Sequence, residues 1–174
     1  MDNTITIIKQ IRLNAALGKK KHFNAADRKE KYSHRINLSI ATISLFASSS
    51  LFYSIIQIKS VYGDSISFAL VLLTMILSWV QIYFNWQKQT FEHRRIANKY
   101  LNLLKKCTRV LSYIKDGLIK ESDLIKEVEL LSKLIHQINE DSDTYPTNSN
   151  DYQLARDGIE EGEEEYTDQE LSIS

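Results

Sequence analysis

At 174 residues the chain is one domain's worth, too short for a membrane part joined to a separate soluble enzyme. Its 22 Lys/Arg and 22 Asp/Glu cancel, yet they are segregated: residues 1–35 carry nine cations against three acids, 85–120 nine against two, and 121–174 three against sixteen. The chain therefore has two basic arms and an acidic end, and its mean charge says nothing about partners. One cysteine, Cys107, excludes an intrachain disulfide, and the one proline, Pro146, lies late. With no ring to remove a backbone donor before it, the chain is free to run as long helices, so the expected fold is all-α.

Residues 1–18 place Ile5, Ile8, Ile11 and Ala15 on one side, which predicts an amphipathic helix interrupted at Gly18, packed on a bundle or lying on a membrane. From Lys19 a helix is expected to run through FNAADRKEKYSHR into the first apolar run, Ile36–Ile58. That run has 23 residues and no charge, enough at about 1.5 Å per residue to cross a hydrocarbon core of about 30 Å. A signal peptide fits poorly, because the run starts late, is long, and is followed at once by a second one. The second, Ser65–Phe84, has 20 uncharged residues and ends in Trp79, Tyr83, Phe84 and Trp86, an aromatic belt. Core helices of soluble proteins rarely stay uncharged for so long. Between the runs, 59–64 should form a tight turn at Gly63-Asp64 and close a two-transmembrane hairpin. Lys/Arg crowd the outer flanks of both runs, whereas the turn holds only Lys59. The positive-inside rule then puts both termini in the cytoplasm.

Within the second span Ser67, Thr74, Ser78, Gln81 and Asn85 share one face. Asn37, Ala41, Ser44 and Ser48 make a similar stripe in the first, and Ser50, Ser54 and Gln57 another. Such residues let transmembrane helices approach closely. Alternatively several hairpins assemble and the Ser67–Asn85 face lines a water-filled path, where polar side chains are tolerated at membrane depth. The first-span candidates for helix packing are Asn37, Ser44 and Ser48.

Beyond the second span Ile96, Tyr100, Leu103, Cys107, Val110 and Ile114 alternate four and three, a heptad seam, with Gly117 as the stop. This predicts one continuous helix over about 65–115, with a cytoplasmic part at 85–116. A further helix over 122–139, N-capped by Ser122, repeats the seam at Leu124, Val128, Leu131, Ile135 and Ile138. The seams can close on each other in one chain or join neighbouring subunits as a coiled coil, and periodicity leaves both open. Residues 140–174 are strongly acidic with few aliphatics, and are expected to be a disordered tail. It is a solubilising segment or one that folds back on the basic arms.

No catalytic constellation, metal-ligand spacing or phosphate loop is visible, so no enzyme, metal or cofactor is expected. Cys107 reads as a core residue. The basic flanks are explained by topology and by lipid headgroups, and no direct nucleic-acid partner is expected.

The basic helix entering a Ser/Thr-rich span, the short turn, the second span and the loose pattern His93, Ala97, Tyr100, Leu101 together resemble the SLATT family, the two-transmembrane effector domains associated with SMODS and SLOG proteins. The resemblance covers about 20–138. It implies a domain over 19–139 and an oligomeric pore-forming effector of a bacterial antiviral, abortive-infection system, sited in the inner membrane. Activation by a nucleotide second messenger, or by an oligonucleotide-cyclase, SLOG or reverse-transcriptase partner, would make it permeabilise that membrane. Rival readings are a non-pore anchor for a soluble partner, and a small channel or holin-like protein.

Overall fold

A computed structural model describes residues 2–56 and 61–163, with side chains over 3–49 and 65–163. The described residues form five helices and no strand: α1 (Asp2–Ile56), α2 (Val61–Phe84), α3 (Trp86–Lys115), α4 (Glu121–Asp143) and α5 (Ser149–Glu160). The all-α fold expected from the missing prolines is the fold observed. The chain divides into a bundle unit, residues 1–27 and 90–174, and a hairpin unit, residues 28–89, with α1 contributing to both.

In the bundle unit the seams meet within one chain. Ile8, Ile11 and Ala15 of α1, Ile96, Tyr100, Leu103, Cys107 and Val110 of α3, and Leu124, Leu131 and Ile138 of α4 form one buried core. Ile114, Val128 and Ile135 pack against it, half-buried. A one-sided apolar stripe must be covered, and here each helix covers the others. The first eighteen residues are thus part of the core. Gly18 does not interrupt α1, contrary to the expectation, because the seam itself passes through it: Ile8, Ile11, Ala15, Gly18, His22 and Ala25, spaced three and four, are all buried. One helical glycine costs only about 1 kcal/mol, which this packing outweighs.

Gly117 ends α3 as expected. It sits at φ 68°, its N–H donates to Ile114, and the Leu118 N–H donates to Tyr113. This is the paired closure that leaves the last carbonyls satisfied. The start of α4 differs: the N-cap is Lys120, without a side-chain cap bond, rather than Ser122. Glu121 and Asp123 in the first turn complement its dipole instead.

The acidic segment expected to be disordered is partly helical. Residues 149–160 are helix α5 with a reciprocal capping box: Asn148 Oδ1 accepts from the Asp151 N–H at 2.8 Å, and Asp151 Oδ2 accepts from the Asn148 N–H at 3.0 Å. Asp151, Ala155 and Gly158 are buried, and Asn24 Nδ2 donates to the Asp151 carbonyl at 3.1 Å. Its small buried face docks α5 on α1 despite the low hydrophobicity. The tail beyond Glu163 lies outside the described residues.

In the hairpin unit α1 and α2 run side by side. Tyr32 meets Trp86 edge-on at 6.2 Å, and Ser44, Ala47 and Ser48 share a groove with Thr74, Ser78 and Ile82. The pairing is antiparallel. Gly63 and Asp64, expected in the turn, are already helical in α2, and the connection at 57–60 lies outside the described residues. So does the stripe Ser50, Ser54 and Gln57, as far as its side chains go. Polarity is inverted relative to a soluble bundle. Ser33, Ala47 and Ser67 are buried, while Leu45, Phe46, Phe68, Met75, Ile76, Trp79 and Ile82 are exposed. Only 6% of the apolar stretch in the helical region from Ser65 is buried, unlike the mostly buried core helix of a soluble protein, and this fits lipid as its solvent.

The expected continuous helix over 65–115 is broken at Asn85, which stands at φ 42°. Its N–H still donates to the Gln81 carbonyl at 2.9 Å, while its Oδ1 accepts from the Lys88 N–H at 3.3 Å and so caps α3. Asparagine is among the few residues that enter the left-handed region readily, because its short amide bonds locally. The rings of Phe84 and Trp86 stack across the break, with centroids 5.0 Å apart.

Candidate functional site

Two arrangements deserve the name of a site, one in each unit. In the hairpin unit the polar stripes of α1 and α2 turn only partly inward, with Ala41 and Ser48 exposed. Ser67 is buried, Thr74, Ser78 and Gln81 are half-buried, and Asn37 and Ser44 face inward to a similar degree. Ser44, Ser48, Thr74 and Ser78 line one open groove of about 480 Å³ together with Val71, Met75 and Trp79. Asn85 is set apart from this stripe: it is exposed and forms the helix break.

One hydroxyl of each stripe bonds within its own helix. Ser48 donates to the Ser44 carbonyl at 2.8 Å and Thr74 to the Leu70 carbonyl at 2.9 Å. Thr42 and Ser49 likewise bond one turn back. Each of these four is satisfied by its own helix and can face a partner helix, water or lipid without leaving an orphan donor.

In the bundle unit the family-like pattern resolves into packing. His93, Ala97 and Tyr100 are buried and Leu101 is half-buried. Their counterpart is the continuation of the α1 seam that sequence reasoning stopped at Gly18. His22 and His93 face each other with Nδ1 to Nδ1 at 3.0 Å. One nitrogen must carry the proton and the other accept it, so the pair holds a single proton in this contact. Tyr100 stacks on His22 at 5.8 Å and Tyr145 meets His93 edge-on at 6.1 Å. The Tyr100 hydroxyl donates to Asn139 Oδ1 at 2.7 Å, tying α3 to α4.

Burial lowers the His22 pKa to about 3; His93 and Lys21 push the same way, and Asp151 opposes them. His22 is therefore neutral at physiological pH. Against the Tyr100 ring lies the Gly18 backbone: a Cβ there would stand 2.7 Å from Tyr100 Cε1. Only glycine lets α1 come this close. Burial also raises the Tyr100 hydroxyl above its usual range and lifts the Cys107 thiol to about 11. Cys107 at neutral pH is a protonated core side chain, with Arg12 only partly offsetting the burial.

Sequence reasoning found His93 and Tyr100 but missed Gly18, His22 and Asp151. The signal for the first two was present, since their spacing continues Ile8, Ile11 and Ala15. For Asp151 the signal was the Asn148-x-x-Asp151 spacing just after Pro146, a capping-box pattern at the start of a helix.

No curated protein and no solved structure matches the chain. The family model described as SMODS and SLOG-associating 2TM effector domain family 4 matches residues 5–170. Every helix described above falls within or nearly within that span, and the chain belongs to the SMODS and SLOG-associating 2TM effector domain family 4.

Proposed function

We propose that this membrane effector assembles into oligomers in the bacterial inner membrane, both termini in the cytoplasm, and opens a pore that permeabilises it during an antiviral response. The trigger is a nucleotide signal or a partner protein of the SMODS, SLOG or reverse-transcriptase kind, and the chain itself carries out no catalysis. The observation that supports this reading most is the inverted polarity of the hairpin unit. Apolar side chains point outward, while Ser67 is buried and Thr74, Ser78 and Gln81 are half-buried. When that seam opens between neighbouring hairpins, Ser67, Thr74, Ser78 and Gln81 line a neutral, weakly selective path. The break at Asn85 lets α2 move without dragging α3 as a rigid extension.

The test is induced expression alongside the cognate partner and trigger, followed with a membrane-potential dye. Depolarisation is expected, and it disappears in Ser78→Leu and Gln81→Leu while membrane insertion persists. Normal polarisation and growth in the triggered wild type overturn the pore. The second reading is a non-pore anchor. In its favour Leu118, Ile125 and Leu130 of the bundle unit are exposed and could receive a soluble protein. A stoichiometric partner recovered without any conductance would select it.

A further inference from the structure

The bundle unit holds a cleft of about 1810 Å³ lined by α1, α3 and α4 and by Ile159 and Glu163 at the end of α5. Its lining includes seven cations, Lys9, Arg12, Lys19, Lys99, Lys105, Lys106 and Arg109, against three acids, Glu140, Asp141 and Glu163. A chain with no net charge overall thus concentrates four positive charges in excess around one cavity.

Part of that charge is neutralised internally. Lys99 pairs with Asp141, whose carboxyl the bond holds below its usual range, and Lys106 approaches Glu127 at 3.9 Å. Lys9 and Arg12 on α1, and Lys105 and Arg109 on α3, form no ion pair among the described residues. Each couple is three or four residues apart, so each sits on one face of its helix. Between them the walls are apolar, with Leu13 half exposed at 51% and Leu104 and Leu111 half-buried. Two arginines with fork-shaped donors, two lysines and an apolar wall suit a multiply charged phosphate attached to a less polar body.

One anion already enters this cleft. Glu163, just after α5, lines it and pairs with Lys20. Lys20 is not among the lining residues, so within the cleft the Glu163 carboxylate is a fixed negative charge that opposes an incoming anion.

We infer that the cleft is a receptor site for a phosphorylated small molecule of nucleotide size, bound by Arg12 and Arg109 with Lys9 and Lys105 and opposed by Glu163. This names a class of signal for the effector reading above, but binding is measured without any conductance, so the two can fail separately.

The test uses the full chain in phosphatidylcholine nanodiscs, titrated calorimetrically with ATP, tripolyphosphate and adenosine. ATP and tripolyphosphate should bind saturably and adenosine should not, with affinity falling as salt rises. Arg12→Gln with Arg109→Gln should weaken ATP binding about tenfold or more. Glu163→Gln should strengthen it, and Lys126→Gln, outside the cleft, should leave it unchanged. Unaltered melting temperature and gel-filtration profile show that the variants are folded. No saturable ATP binding up to about 1 mM overturns the site, as does an undiminished affinity in the double arginine variant. A second set of discs containing phosphatidylglycerol separates the sources of phosphate. Equal ATP affinity in both sets supports a soluble ligand, whereas loss of ATP binding in the second assigns the cleft to a lipid headgroup and overturns it.

Discussion

Gly18 and Tyr100 show how one side chain's absence sets the geometry of the bundle unit. The tyrosine cannot retreat, because it is 2% exposed and its hydroxyl is held by Asn139. Gly18→Val should therefore overpack the contact and cost about 1–3 kcal/mol, read as a lower melting temperature of the detergent-solubilised protein. An unchanged melting temperature would mean that α1 and α3 are not in contact there. The His22–His93 pair makes a separate prediction. An unfolded His22 takes up a proton near 6.5, whereas the folded one does so only near 3. Between those values the unfolded chain binds more protons, so stability falls as the pH falls. From pH 7 to pH 5 this one group should cost about 2 kcal/mol, and His22→Gln should flatten that part of the profile.

At the scale of elements the breaks and caps matter more than the helices. Asn85→Ala puts a Cβ without a capping amide into the left-handed region, at a cost of about 1–2 kcal/mol that a continuous helix avoids. Spin labels at Ile76 and Asn98 should then report a changed separation, while Asn85→Gly, which tolerates the positive φ, should leave it as in the wild type. Equal distances in all three proteins would contradict the break. Much of this architecture is legible in the sequence. The two spans follow from uncharged length, the α3 and α4 seams from heptad spacing, and the end of α3 from Gly117. What escaped depends on pairwise contact. Gly18 looks like an interruption until its partner ring is known, and Asn85 looks like one more polar residue on a stripe. Helix α5 looks disordered by charge, because its stabilisation comes from a capping box and a small docking face rather than from apolar area. The polar stripes could be read as stripes, but whether they face a helix or water depends on how many hairpins come together.

For the whole molecule, the two units bury opposite things. In the bundle unit the heptad seams of α1, α3 and α4 are consumed inside one chain, so they are not available to hold subunits together. In the hairpin unit the exposed surface is apolar and runs along α2 through Ile66, Leu73, Ile76 and Tyr83. Lipid covers such a surface without a strong preference between itself and another helix, and association then depends on packing shape and on polar stripes becoming shared. Any self-association of the chain should therefore run through the hairpin. With Cys107→Ser as background, Ile76→Cys on this exposed face should form disulfide-linked dimers in oxidised native membranes, as the proposed assembly through the hairpin requires. Ile125→Cys, on the exposed side of α4, should stay monomeric under the same treatment. The reverse pattern would move the interface to the bundle, and would require its seams to open before subunits could meet. That would place the energetic cost of assembly in the core around Tyr100 rather than in the membrane.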